Sequence, residues 1–321
     1  MPSFQLPEET KVSQVHLRVR DMGTVLEFYT HAVGLQVINS NSTDADVSLS
    51  ATGRSSPLLV LTEDKQAPLR LARTTGLYHT AFRFPTRRDL AHALRRVTAG
   101  GYAIDGASDH IFSEAIYLDD PEGNGVELYV DRPRSHWPQL GGNMALSPPR
   151  PFDIRALLAA TGSEPVSPAA PPETDIGHIH LHVGDLGLAE RFFHEFIGLD
   201  VMIRAPGALF VSAGGYHHHI GANTWAGAAP SPPGSNGLMS YRLDVPVAEV
   251  LYCLRNRAPL AGHVTQDAVT VNGGELLRIR DPNDLWLEMS ATLHAEGSGA
   301  EAATSASTAP AGGAGRARKP T

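Results

Sequence analysis

Thiol chemistry is almost absent from this chain, which carries one cysteine, Cys253, in 321 residues. That excludes a disulfide within one chain and a zinc site built on several thiolates. Basic excess is missing as well. The 26 Lys and Arg stand against 34 Asp and Glu, a formal net charge of −8, which argues against a nucleic-acid partner. No stretch approaches the roughly 20 apolar residues needed to span a bilayer. The opening residues MPSFQLPEETKVSQV lack the basic-then-apolar order of a signal peptide. A soluble, cytoplasmic protein with no membrane partner is the expectation. GNGVELY contains glycines without forming a Rossmann fingerprint, and no GKS or GKT occurs. Cys253, within the helical pattern VLYCLRNR, reads as a buried inert thiol.

Histidine is plentiful, at 15, so a metal site here would have to be built from imidazole and carboxylate. Glycine and proline are also abundant, at 31 and 24, as expected of short strands joined by turns and of Pro-rich linkers. The decisive feature is an internal repeat. KVSQVHLRVRDMGTVLEFYTHAVGLQV, from Lys11, matches DIGHIHLHVGDLGLAERFFHEFIGLDV, from Asp175. His16 aligns with His180, Asp21 with Asp185 and Gly34 with Gly198. Further on, DDPEGNGVELYV aligns with RDPNDLWLEMS, pairing Glu127 with Glu288.

The organisation expected from this is an N-terminal domain at 11–132 and a Pro-rich linker at 133–173 with one short helix, Phe152 to Ala160. A C-terminal domain at 174–291 and a disordered tail at 292–321 follow. Within each domain the pattern is strand, Asp-capped helix and three short strands, twice over. The fold class is therefore α+β, with four βαβββ modules. The arginines of TRRDLAHALRRV read as a solvated helix face.

The helix patterns EFYTHAVGL and RFFHEFIGL after His-bearing strands, and the ending DPEGNGVELY, resemble the vicinal oxygen chelate superfamily. That superfamily includes glyoxalase I, bleomycin-resistance proteins and type I extradiol dioxygenases. GLYHTAF, IDGASDH, SEAIYLDDPEGNGVELYVDRPR and AGGYHHHIGANTW look most like its bacterial two-domain catechol-2,3-dioxygenase-like group. The resemblance implies tandem domains whose paired modules form cup-shaped mixed sheets. It implies a metal held by His16, His79 and Glu127, a 2-His-1-carboxylate set that suits non-heme Fe(II). Mn(II), Zn(II) or Ni(II) are the alternatives. Its activity is ring cleavage of a catechol-type aromatic diol with O2, with Tyr117 and His110 beside the substrate. The alternatives are a glyoxalase-like isomerase or lyase and a non-catalytic binding protein. The superfamily pairs modules within chains, between chains or both, so it also allows a homo-oligomer.

Two departures stand out. The acid–base histidine that extradiol enzymes carry on the last strand of the first module is missing from PLLVLTEDK. Glu63, Asp64 or a residue from the other domain is left to replace it. In the second half, Ser240 stands at the place of His79, so His180 and Glu288 remain without a third partner. His217 to His219 are expected on a strand, with His217 and His219 sharing a face. The cluster of His180, His217, His219 and Glu288 reads either as a second metal site or as polar packing.

Overall fold

The computed structural model describes residues 4–39, 46–54, 56–137, 150–270 and 273–291. The expected tail at 292–321 and part of the linker lie outside them.

Four modules follow one another along the chain. Module one holds β1 (Lys11–Val19), α1 (Met22–Phe28), β2 (Gln36–Asn39), β3 (Asp46–Ser50) and β4 (Leu59–Glu63). Module two holds β5 (Gly76–Arg83), α2 (Arg87–Ala99), β6 (Gly106–Asp109), β7 (Ser113–Asp119) and β8 (Gly125–Asp131). The short α3 (Ile154–Ala159) falls within the expected linker helix. Module three holds β9 (Asp175–His182), α4 (Leu186–Glu190), β10 (Asp200–Ala205), β11 (Ala208–Ser212) and β12 (Ile220–Asn223). Module four holds β13 (Gly237–Val245), α5 (Glu249–Arg257), β14 (Thr265–Val269), β15 (Glu275–Arg280) and β16 (Trp286–Ala291).

Local chemistry sets the helix limits. Asp21, Thr86 and Asp185 are N-caps whose side chains accept from Thr24 N, Asp89 N and Leu188 N. The helix of module one ends in a π turn, Tyr29–Val33, closed by Gly34 at φ 87°, a left-handed position that favours glycine. Arg96 on α2 departs from the expected solvated face. It is 6% exposed and donates to the carbonyls of Ala32 (3.2 Å), Val33 (2.8 Å) and Ser167 (3.2 Å). Through Ala32 and Val33 it satisfies backbone acceptors left open at that helix end. Burial pushes its pKa down to about 10.

The modules pair across the two halves of the sequence. One eight-stranded sheet has the order β14-β15-β16-β13-β1-β4-β3-β2, joining modules one and four. The other has the order β10-β11-β12-β9-β5-β8-β7-β6, joining modules two and three. In each, two first strands meet antiparallel, β1 with β13 and β5 with β9. Neither sequence half closes a sheet by itself. Each module leaves its first strand with an open edge, and the partner module covers it.

Alternation along the strands separates core from site. In β8, Val126, Leu128 and Val130 enter the main hydrophobic core with the helices. Glu127, Tyr129 and Asp131 therefore face the other way. In β9, Ile179 and Leu181 belong to the core, as does Val183 just after it, leaving His178, His180 and His182 on the opposite face.

Candidate metal centre

The pairing of modules two and three brings three metal-competent side chains together. His79 on β5, Glu127 on β8 and His178 on β9 place one ligand atom each within 4.8 Å of one another, and all three are buried. His79 Nε2 and His178 Nε2 each lie 3.0 Å from the same oxygen, Glu127 Oε2. His178 is aligned to hydrogen-bond that oxygen. His79 Nε2, at the same distance, is buried and makes no aligned hydrogen bond. Buried polar atoms are normally satisfied, so an orphan nitrogen converging with a second imidazole and a carboxylate fits a divalent cation. Two imidazoles and one carboxylate on one side of a centre match the donor set of non-heme Fe(II).

The electrostatics agree with ligand protonation states. Burial pushes the Glu127 carboxyl up, but His178 and His79 outweigh it and hold it well below the usual carboxylate range. Burial lowers His178 to about 4 and holds His180 well below its ordinary value. These groups stand as carboxylate and neutral imidazoles at pH 7.

His16 is not in this group. It sits on β1 in the other sheet, directly opposite Ser240, and its Nε2 is 2.7 Å from Thr62 Oγ1. The expected set of His16, His79 and Glu127 is corrected on this point: the second imidazole beside His79 and Glu127 is His178. The repeat offset of 180 − 16 = 164 that aligns His16 with His180 places Gln14 at the position of His178. A sequence signal did exist. His178 stands five residues before Val183, as His79 stands five before Phe84, and both of those are core residues immediately after their strands.

The equivalent place in the other sheet holds no cluster of metal ligands among the described residues. Glu288 is clamped there by two arginines. Arg242 contacts Oε2 at 2.7 Å and Arg278 contacts Oε1 at 2.9 Å. Both carboxylate oxygens are thereby engaged in charge-assisted contacts. Glu288 lies in a different sheet from His180, and among the described residues no group of metal-competent side chains joins it to His180, His217 or His219, so those four residues do not form one site.

The histidine run also differs from the expected strand. β12 begins at Ile220, and His217 to His219 lie in the irregular segment before it. Their side chains take different partners beyond the run. His219 Nδ1 takes the Ser212 hydroxyl (2.9 Å) and the Ala213 N–H (3.2 Å). His217 Nε2 meets Asp131 Oδ1 at 3.0 Å. His218 lines the cavity beside the candidate centre, with its ring 4.1 Å from that of His178. Neither Glu63 nor Asp64 reaches this cavity. Glu63 accepts from Met22 N, and Asp64 from Gln66 N.

That cavity, of about 520 Å³, opens onto His79, Glu127 and His178. His110 and Tyr117 line it too, and His110 Nε2 is 2.7 Å from the Tyr117 hydroxyl. Burial, then the Glu127 carboxylate, pushes the Tyr117 phenol well above its ordinary pKa, so it is a protonated hydroxyl. The remaining wall is mainly apolar, including Phe112, Ile203, Pro206, Phe210 and Trp225. Among the described residues that line it, none is lysine or arginine.

A family model described as the glyoxalase/bleomycin resistance protein/dioxygenase superfamily matches residues 11–128. The chain belongs to this superfamily. A Bacillus subtilis (strain 168) protein named catechol-2,3-dioxygenase is 42% identical over 281 residues, covering 86% of this chain and 95% of that protein. Among solved structures, a Bacillus subtilis protein assigned as a dioxygenase superposes with a TM-score of 0.63 at 12% identity. The match covers 90% of this chain and 86% of that one. Glyoxalase I from Zea mays gives 0.55 at 12% identity, covering 88% and 92%. At that identity the two structures bear on the fold alone.

Proposed function

We propose that this protein is an extradiol-type ring-cleaving dioxygenase that acts on an uncharged catechol with O2, using Fe(II) held by His79, Glu127 and His178. The observation that carries the reading is one cavity holding two imidazoles and a carboxylate together with a proton-accepting and a proton-donating side chain. The name of the 42% identical relative supports the same chemistry. The reaction opens the ring beside the diol and leaves both atoms of O2 in a hydroxymuconate-semialdehyde product.

Fe(II), if held by His79, Glu127 and His178, would supply the one-electron chemistry that lets the diol and O2 react. The protein side chains do the rest. His218 Nε2, buried without a partner, accepts a diol proton and returns it later, filling the role left open by the missing histidine in PLLVLTEDK. The Tyr117 hydroxyl, held by His110, hydrogen-bonds the substrate oxygen and orients it. Phe112, Phe210 and Trp225 flank the ring and exclude water. With no lysine or arginine among the described lining residues, a carboxylated catechol would bury an unpaired charge, which is costly. The favoured substrates are catechol and its alkyl- or aryl-substituted forms.

The test is anaerobic reconstitution with Fe(II), then addition of O2 with catechol, 3-methylcatechol or protocatechuate while the yellow ring-fission product is followed. The reading expects product from the first two and at least tenfold lower kcat/KM for the carboxylated one. Bound iron with no product from any catechol sinks the dioxygenase. Activity only on a 2-oxoaldehyde thiol adduct with Zn(II) or Ni(II) would point to isomerase chemistry.

A further inference from the structure

Behind His218, on the side away from the cavity, a chain of polar contacts runs through residues that the proposed reaction does not use. His217 is wholly buried, at 0% exposure. Its Nε2 meets Asp131 Oδ1 at 3.0 Å, and its Nδ1 meets His218 Nδ1 at 2.8 Å. The second oxygen of Asp131 accepts from the Tyr216 hydroxyl (2.8 Å) and from Arg83 (3.2 Å). Tyr216 is in turn 2.7 Å from the Tyr129 hydroxyl. Gly177 makes room for that phenol, since a Cβ there would fall 1.6 Å from its oxygen.

The donor and acceptor inventory then places the protons. Burial is the largest influence on Asp131 and raises its pKa, but His217, Tyr216 and Arg83 outweigh it and hold it below the usual carboxylate range. An ionised carboxylate only accepts. The nitrogen facing it, His217 Nε2, therefore carries hydrogen. With one proton on the His217 ring, Nδ1 presents a lone pair. Two lone pairs cannot face each other at 2.8 Å, so His218 Nδ1 carries hydrogen. The His218 lone pair is left on Nε2, the atom that is buried without a partner.

We infer that Asp131 and His217 are positioning residues that lock His218 in the Nδ1–H tautomer, so that Nε2 enters the cavity as a proton acceptor. The second nitrogen of a functional histidine commonly sets its tautomer in this way, here through an intervening imidazole. The inference rests on the proposed role of His218 for its catalytic meaning, but the tautomer itself is measurable without turnover.

The experiment is long-range ¹H–¹⁵N correlation NMR of histidine-labelled full chain, with Zn(II) added as a diamagnetic metal and again without metal. The His218 signals are assigned by their loss in His218→Gln. The expected result is a pyridine-type Nε2 and a pyrrole-type Nδ1 at His218. Asp131→Asn can present an amide N–H to His217 and should reverse both rings, making His218 Nε2 pyrrole-type. With catechol and Fe(II), the same variant should lose at least tenfold in kcat with KM little changed. A wild-type His218 protonated on Nε2, as it would be beside a doubly protonated His217, overturns the inference. So does an unchanged His218 in folded Asp131→Asn. The wild-type spectrum decides the matter even where the variant fails to fold. Absence of dioxygenase activity alongside the expected tautomer would fault the reaction and leave the lock standing.

Discussion

His178 Nε2 lies 3.0 Å from Glu127 Oε2 across 51 residues of chain. The contact passes from module three to module two, through the antiparallel seam of β9 and β5. The candidate centre therefore belongs to the junction of the two sequence halves and to neither half alone.

Metal content should report that junction. His178→Ala is expected to abolish stoichiometric Fe(II) or Co(II) binding, whereas His16→Ala should leave it intact. Even residues outside the ligand set typically change metal affinity by about 10–100-fold, so loss of a ligand should do at least that. Elemental analysis after dialysis and Co(II) titration followed by visible absorbance give the answer. Equal metal in both variants would refute the site.

Tyr117→Phe removes the hydroxyl 2.7 Å from His110 Nε2 while keeping the ring. We expect kcat to fall by about 10²-fold, the lower end for a positioned proton donor, with metal content unchanged. Steady-state kinetics with catechol, beside elemental analysis, separate the two readouts. A kcat within twofold of wild type would remove Tyr117 from the proposed chemistry.

Stability should fall on acidification, with His219 contributing. Burial, the largest cause, lowers its folded pKa from 6.5 to about 3. Below 6.5 the unfolded chain binds a proton that the folded ring refuses until about pH 3. The contribution is thus complete above pH 6.5 and is lost as pH falls toward 3. His219→Gln should flatten the slope in that window by about 1.4 kcal/mol per pH unit, one proton's worth. Urea unfolding at pH 7.5, 6 and 5 measures it, and parallel slopes for both proteins would contradict the prediction.

Arg96→Met keeps the apolar length of the side chain but strands the carbonyls of Ala32, Val33 and Ser167. Leaving buried acceptors unpaired costs about 1–3 kcal/mol each, and partial hydration should bring the total to about 3 kcal/mol. Denaturant unfolding should show that loss with metal binding unchanged. A change below 0.5 kcal/mol, a threshold on the order of ordinary surface substitutions, would show that water replaces the guanidinium fully.

By itself the sequence determined the local elements and the chemical type of the site. Repeated capping aspartates, the glycine after each module's first helix and period-two alternation place four βαβββ modules on the chain. The scarcity of thiols and the wealth of histidine restrict a metal site to imidazole and carboxylate. His79, Glu127, His110 and Tyr117 were singled out through the family resemblance, and all four, carried by one module, line a single cavity. The tertiary structure decided what joins them. Whether the first strand of module two pairs with that of module one or of module three depends on long-range edge matching, which carries no periodic signature in the chain. That pairing put His178 and His218 beside His79 and sent His16 to the other sheet. It also buried Arg96, whose neighbours Arg87, Arg88 and Arg95 do form surface contacts with Glu114 and Glu164. Helical spacing alone cannot tell an arginine facing water from one facing the end of another helix.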